Sequence, residues 1–332
     1  MKTTYSISLF LGLTLIVYSL TSLKEGSTFE ISNWETPKVV YPADNPYSDA
    51  SANLGSTLFF ETLMSRDTSI SCQSCHQLNE AFADHLPLGT GVDNKTVTRN
   101  TPTLFNIGFH PYMMKDGKFA RLEDQALGPI KDHREFNMSP DKILERLKTV
   151  PIYDKLSKEA FGTPLTIEII QKSLATFQRT LTAFNSPFYD FMRGDLKAIS
   201  EEAKRGWKLF NDPKINCISC HKGYDFTDYS FQNNGLYKVF ADSGRYLITH
   251  NKLDIGKFKI PTLRNVGITY PYMHNGSVKT LEEVLAHYAK GGIKSKNKSK
   301  NIKGFELSKE SERDLIAFLN SLTSKKYLEK EE

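Results

Sequence analysis

All four cysteines of this 332-residue chain fall into two copies of one pattern, Cys72-Gln-Ser-Cys75-His76 and Cys217-Ile-Ser-Cys220-His221. Cys-x-x-Cys-His is the attachment signal of c-type haem. Each pair of thiols adds across the two vinyl groups of one porphyrin, and the adjoining imidazole binds iron from one face. Two redox disulfides or one four-cysteine zinc site are the competing readings. Thioredoxin-like motifs need a βαβ context that this sequence lacks, and zinc would leave the histidine after each second cysteine without a purpose. The expected cofactors are therefore two covalent c-type haems.

Length favours two domains, and a hydrophobic content of 39% suffices for two small cores. A formal charge of +5 with 24% charged residues is only mildly basic and gives no case for nucleic acid. Residues 1–23 hold one lysine and then an apolar stretch from Ile7 to Leu23, the pattern of a secretory signal. Covalent haem attachment is completed outside the cytoplasm, so signal and haem motifs agree on an exported, periplasmic protein. An uncleaved N-terminal anchor is the alternative.

The chain repeats itself. Gly55-Ser-Thr-Leu-Phe59 precedes the first haem motif and Gly206-Trp-Lys-Leu-Phe210 the second. Pro102-Thr-Leu-x-Asn106-x-Gly108 recurs as Pro261-Thr-Leu-x-Asn265-x-Gly267, and Gly117 and Gly276 each follow fifteen residues after the proline. Leu122-Glu123 and Leu281-Glu282 come next at equal offsets. Two tandem cytochrome c-like units explain this. We expect a mainly α fold with an N-terminal domain over 45–199 and a C-terminal domain over 200–325, each with one haem and packed against each other. Ser139-Pro140-Asp141, Thr166 and Ser308 read as helix starts, and Ile169, Ile170, Leu174, Phe177 and Leu181 recur at helical spacing. Gly291 to Gly304, with five lysines among Gly, Ser and Asn, reads as a solvated loop or as a docking patch for an acidic electron donor.

From about Asn45 to Leu322 the chain resembles the bacterial di-haem cytochrome c peroxidase family, and specifically its MauG-like branch. The resemblance rests on CQSCH with AFAD, LGTGVDNKTVTRNTPTLFN, LEDQALGPI, GWKLF, CISCH, PTLRNVGITYPYMHNGS and the end of HYAKGG. It implies a first haem that reacts with peroxide and a second that receives electrons. The repeat agrees with that division of labour. Seven residues after Leu122 stands Pro129, which cannot bind iron; seven after Leu281 stands Tyr288, whose oxygen can. On its residues alone Tyr288 reads more readily as a half-buried helix tyrosine. The resemblance implies that it is the second ligand beside His221, because MauG-like proteins use tyrosine where the usual peroxidases use methionine. His287 and Met273 compete for that role.

The resemblance also implies that Glu135 is the acid/base and Gln125 the positioning group over the first haem, whose proximal ligand is His76. His133 and Met138 flank Glu135 as alternatives. It implies, too, a calcium ion held by Asn100, Thr269 and Pro271, although Asn100 reads equally as a turn residue. Two positions depart from the family pattern. Val92 stands where the usual peroxidases place a histidine that blocks the first iron, leaving His85 and His110 as the nearest substitutes. Lys115-Asp116-Gly117 stands where most relatives have Trp-Asp-Gly, so the relay tryptophan between the haems is missing, with Tyr112 or Phe109 as the remaining aromatic routes. His274 reads as a hydrogen-bonded core histidine.

Three functions follow from this reading: reduction of hydrogen peroxide with electrons from a small cytochrome c or cupredoxin, MauG-like oxidation of residues on a protein substrate, or electron carriage by two closed haems. A homodimer is compatible with all three. Protein made with the haem-attachment machinery should carry two covalent haems by mass spectrometry; a mass increment of one haem or none would overturn the reading of both motifs.

Overall fold

The computed structural model describes residues 35–328. The export signal or anchor expected over residues 1–23 lies outside the described residues. Among the described residues, no helix is long and apolar enough to cross a membrane.

The fold is mainly helical. The longer helices span Asp49–Phe59, Pro140–Lys148, Pro151–Phe161, Ile167–Thr180, Glu201–Asn211, Leu281–Ala289 and Lys309–Asn320. Their starts follow from local chemistry. Ser139, Thr166 and Ser308 each accept a hydrogen bond from the backbone N–H three residues on, which satisfies one of the amides left free at a helix N-terminus. Among the described residues the one regular sheet is a two-stranded antiparallel pair, Phe231–Gln232 with Phe258–Lys259. No alternation of apolar and polar residues announces strands this short.

The sequence repeat reappears as repeated geometry. Helix Asp49–Phe59 packs on Ile167–Thr180 so closely that a Cβ on Gly55 would lie 1.9 Å from the Ser173 carbonyl oxygen. Helix Glu201–Asn211 packs on Lys309–Asn320 in the same way, with a Cβ on Gly206 placed 1.9 Å from the Asp314 carbonyl oxygen. The two glycines open the two G-x-x-L-F segments. Asn106 donates its N–H to Leu181 O at 2.8 Å and accepts from Ala183 N at 2.9 Å through its side chain. Asn265 does the same with Leu322 O at 3.1 Å and Ser324 N at 2.8 Å. Each asparagine therefore ties its own Pro-Thr-Leu segment to the chain that leaves the last helix of its half.

The cores differ in composition. Leu54, Leu58, Met64, Ile143, Leu147 and Leu174 dominate the first half. Phe188, Trp207, Phe210, Phe226 and Phe318 make an aromatic cluster in the second, with ring centroids 5.0–6.2 Å apart. The boundary expected at 199/200 falls between helices Pro187–Met192 and Glu201–Asn211.

Because the atom met by an added Cβ is backbone, neither helix pair can absorb a larger residue by moving a side chain. Gly206→Ala should destabilise the protein by about 1–3 kcal/mol, the scale of core overpacking, and Gly55→Ala by a similar amount. Denaturant unfolding of the two variants checks this.

Candidate active site

Both haem motifs form a single 3-10 turn, Cys72–Ser74 and Cys217–Ser219, followed by the histidine. The turn places Cys75 and His76, and likewise Cys220 and His221, beside the first cysteine of each motif. His76 Nδ1 lies 3.0 Å from Phe82 O, and His221 Nδ1 2.9 Å from Phe226 O. A carbonyl only accepts, so each Nδ1 carries the proton and each Nε2 lone pair is left for a metal. Burial lowers the pKa of both imidazoles and keeps them neutral. The residues of the accepting carbonyls are themselves held in an uncommon backbone conformation: Phe82 has φ 57° and Phe226 φ 51°. A bulky residue in the left-handed region is costly, and here it occurs at both copies of the same position.

The four cysteines are unpaired. Burial, the neighbouring Cys75 and then Glu135 push the Cys72 thiol up to about 12; burial, Asp84 and Glu135 push Cys75 up to about 11. Burial and Cys220 push Cys217 up to about 12. Among the described residues no group of three or more His, Cys, Asp or Glu is gathered as for a metal ion, so the two cysteine pairs do not form one zinc cluster.

Around the second motif lies a cavity of about 330 Å³. Cys217, Cys220, His221, Met273 and Tyr288 line it, together with Asn100, Met114 and Lys115 from the first half. A mostly apolar cavity with two thiols, a free imidazole nitrogen and a phenol on its walls fits a covalent haem c. Tyr288 occupies the last turn of helix Leu281–Ala289. Burial pushes its phenol up to about 12, against a hydrogen bond from the Asn234 side chain that acts in the opposite direction. His287 is turned elsewhere: its Nε2 donates to Asn234 O at 3.0 Å. Met273 Sδ accepts from Asn234 Nδ2 at 3.1 Å. Asn234 thus touches all three candidate ligands, and no motif in the sequence points to it. Asn100, Thr269 and Pro271 line the same cavity, with Asn100 donating its Nδ2 to Leu86 O at 3.1 Å.

At the first motif the repeat is broken where chemistry is expected. The helix that runs unbroken from Leu281 to Ala289 is replaced by two short ones, Leu122–Gln125 and Leu127–Lys131. Pro129 stands in the second, and its carbonyl accepts from Phe136 N at 3.2 Å, which folds the following segment back and carries Glu135 with it. Burial, reinforced by Asp132, raises the Glu135 carboxyl to about 7. Its charge is felt by both thiols of the motif. His133, by contrast, has a side chain 66% exposed, paired with Asp132 at 3.7 Å, and Met138 is packed into the hydrophobic core. Gln125 is half-buried with Nε2 3.8 Å from Met114 Sδ; it makes no hydrogen bond to Glu135 among the described residues.

Val92 is fully buried and donates its N–H to Glu135 O at 3.0 Å, so it supports the backbone of the acid from behind. His85 stacks on Tyr270 at 4.1 Å and bonds Ile268 O at 2.6 Å. His110 is buried between Lys259 Nζ at 3.0 Å and Asp225 at 3.4 Å. Both histidines are committed to other partners. His274 stacks on Phe258 at 3.9 Å. Tyr112 and Phe109 pack on Phe231 and on Phe184 and Tyr224.

A family model described as di-haem cytochrome c peroxidase matches residues 49–197. The chain is 38% identical over 283 residues to the methylamine utilization protein MauG of Methylophilus methylotrophus, a match that covers 85% of this chain and 84% of that one. To the cytochrome c551 peroxidase of Pseudomonas aeruginosa it is 30% identical over 290 residues, 84% of this chain and 80% of the relative. Among solved structures, that of a MauG-like protein associated with microbial copper homeostasis matches with a TM-score of 0.83 and 30% identity, over 90% of this chain and 97% of that one.

Proposed function

This chain belongs to the di-haem cytochrome c peroxidase family, in its MauG-like branch, and from that premise we propose that it is an exported peroxidase reducing hydrogen peroxide to water. The electrons come from a small cytochrome c or cupredoxin, enter at the haem of Cys217, Cys220 and His221, and are used at the haem of Cys72, Cys75 and His76. The 45–199 and 200–325 units are the two haem domains of this reading, and Asn100, Thr269 and Pro271 its calcium ligands.

The observation that carries the reading is Glu135, a half-buried carboxyl raised to about 7 within electrostatic range of the first haem motif. Reduction of one peroxide takes two electrons and two protons and yields two waters. The bound haem supplies the electron equivalents that break the O–O bond. The protein moves the proton. Glu135 as carboxylate would take a proton from one peroxide oxygen and return it to the other, which would leave as water. A carboxyl at about 7 is matched to both halves of that transfer. Gln125 contributes an amide that orients peroxide. Pro129 keeps the distal face free of a protein ligand, which argues against a pure electron carrier.

Tyr288 supports a second reading. With His221 and Tyr288 on the walls of one cavity, a phenolate ligand would stabilise an oxidised iron, which would favour stored oxidising equivalents of the kind a MauG-like enzyme directs at a partner protein. Lys115 weighs against it, because an ammonium cannot relay an electron as an indole can.

Glu135→Gln should lower peroxide turnover by about a hundredfold or more, with haem content unchanged. Since the carboxylate is the form that accepts the first proton, wild-type turnover should fall as pH drops through about 7, and the variant should lack that limb. Steady-state assays across pH with a reduced donor read both. Wild-type rates in the variant would move the acid/base elsewhere.

Tyr288→Met should raise the reduction potential of the second haem, and Tyr288→Phe should change its coordination. Redox titration with spectroscopy of that iron decides; unchanged coordination and potential would make Tyr288 a packing residue and direct attention to Met273.

A further inference from the structure

Lys115 occupies the position of His274 in the repeat. Met114 and Gly117 precede and end its turn at φ 66° and 71°, as Met273 and Gly276 do at 74° and 66°. Its side chain lines the cavity of the second haem motif.

Lys115 is one of several cations in that region; Lys303, also on the cavity wall, is exposed, and three others are engaged. Arg99 holds Asp242 at 2.6 and 3.0 Å and Asp116 at 2.7 Å. Arg245 donates to the carbonyls of Asp116 and Gly117 at 2.8 and 2.9 Å. Lys259 donates to Tyr112 O at 2.6 Å and lies 3.0 Å from His110 Nδ1. The ammonium of Lys115 makes no hydrogen bond or ion pair among the described residues. The acids near it are spent as well. Asp116 and Asp242 serve Arg99, and Asp84 accepts from Thr101 at 2.7 Å and from Leu86 N at 3.1 Å.

Lys115 is half-buried and faces a mostly apolar cavity, where a charge without a direct partner is costly once the cavity is filled. Burial and Arg99 pull the Lys115 ammonium down to about 8, which still leaves it charged at neutral pH. Asp84 acts on it only from a distance and no carboxylate pairs with it directly, so the anion in contact belongs to what fills the cavity. A c-type haem brings two carboxylates, its propionates.

We propose that Lys115 binds a propionate of the haem attached at Cys217 and Cys220 and thereby sets that haem's reduction potential. The proposal rests on the di-haem reading above. It gives the lysine an electrostatic role at the position where relatives carry a relay indole: a fixed positive charge beside the ring favours the added electron.

The test uses full-length holoprotein with both haems confirmed by mass. In spectroelectrochemical titration, Lys115→Gln should make the second haem harder to reduce by roughly tenfold, ~59 mV for one electron. Lys115→Trp, neutral and native to relatives, should shift it the same way, and Lys115→Arg should retain the wild-type value. Lys118→Gln, at an exposed neighbour, should move nothing. Resonance Raman bands of the propionates should change in the Gln and Trp variants. An unmoved potential and unmoved bands in both neutral variants would overturn the proposal, as would a shift confined to the first haem. Wild-type protein without haem at Cys217 and Cys220 would overturn the di-haem reading and this proposal with it.

Discussion

Each motif histidine gives its Nδ1 proton to a backbone carbonyl, and the rest of the site is arranged around that bond. Once Phe82 O and Phe226 O take the two protons, each imidazole has one tautomer, one orientation and one free nitrogen. The cysteines four residues and one residue earlier in sequence are then held beside it. The positive φ of Phe82 and Phe226 is the cost of aiming those carbonyls. The same cost is met at both copies, so it belongs to the site rather than to either sequence context.

From this shared base the two halves diverge through one change in helix continuity. In the second half an unbroken helix presents Tyr288 to the cavity that contains Cys217, Cys220 and His221. In the first half the equivalent helix is interrupted, Pro129 replaces the tyrosine, and the chain beyond it turns back to deliver a half-buried carboxyl. The same scaffold thus presents a phenol beside one motif and a carboxyl beside the other, the difference on which the proposed division of roles rests.

Charge is distributed with the same asymmetry. The carboxyl near the first motif is isolated from cations and rises toward neutrality. Lys115 and Lys259 line the cavity around the second motif, with Arg99 and Arg245 close by; Arg99 is paired with carboxylates, Arg245 and Lys259 with carbonyls, and Lys115 makes no direct hydrogen bond or ion pair among the described residues. Burial therefore favours a proton-active group on one side and a positive field on the other.

The sequence by itself determined what depends on neighbours along the chain: both haem-attachment turns, the capped starts of helices at Ser139, Thr166 and Ser308, and the repeat that aligns Pro129 with Tyr288. These are local because a turn or a cap is satisfied within a few residues. Tertiary structure decided between candidates that the sequence left side by side. Glu135 rather than His133 is the buried group because the chain folds back onto Pro129 O, and Tyr288 rather than His287 faces the cavity because Asn234, more than fifty residues earlier, takes the histidine. The two-stranded pair, the Arg99–Asp242 bridge and the uncommitted ammonium of Lys115 were equally illegible. Burial and pairing of a charge depend on groups brought together from distant parts of the chain, and no spacing rule records which groups those will be.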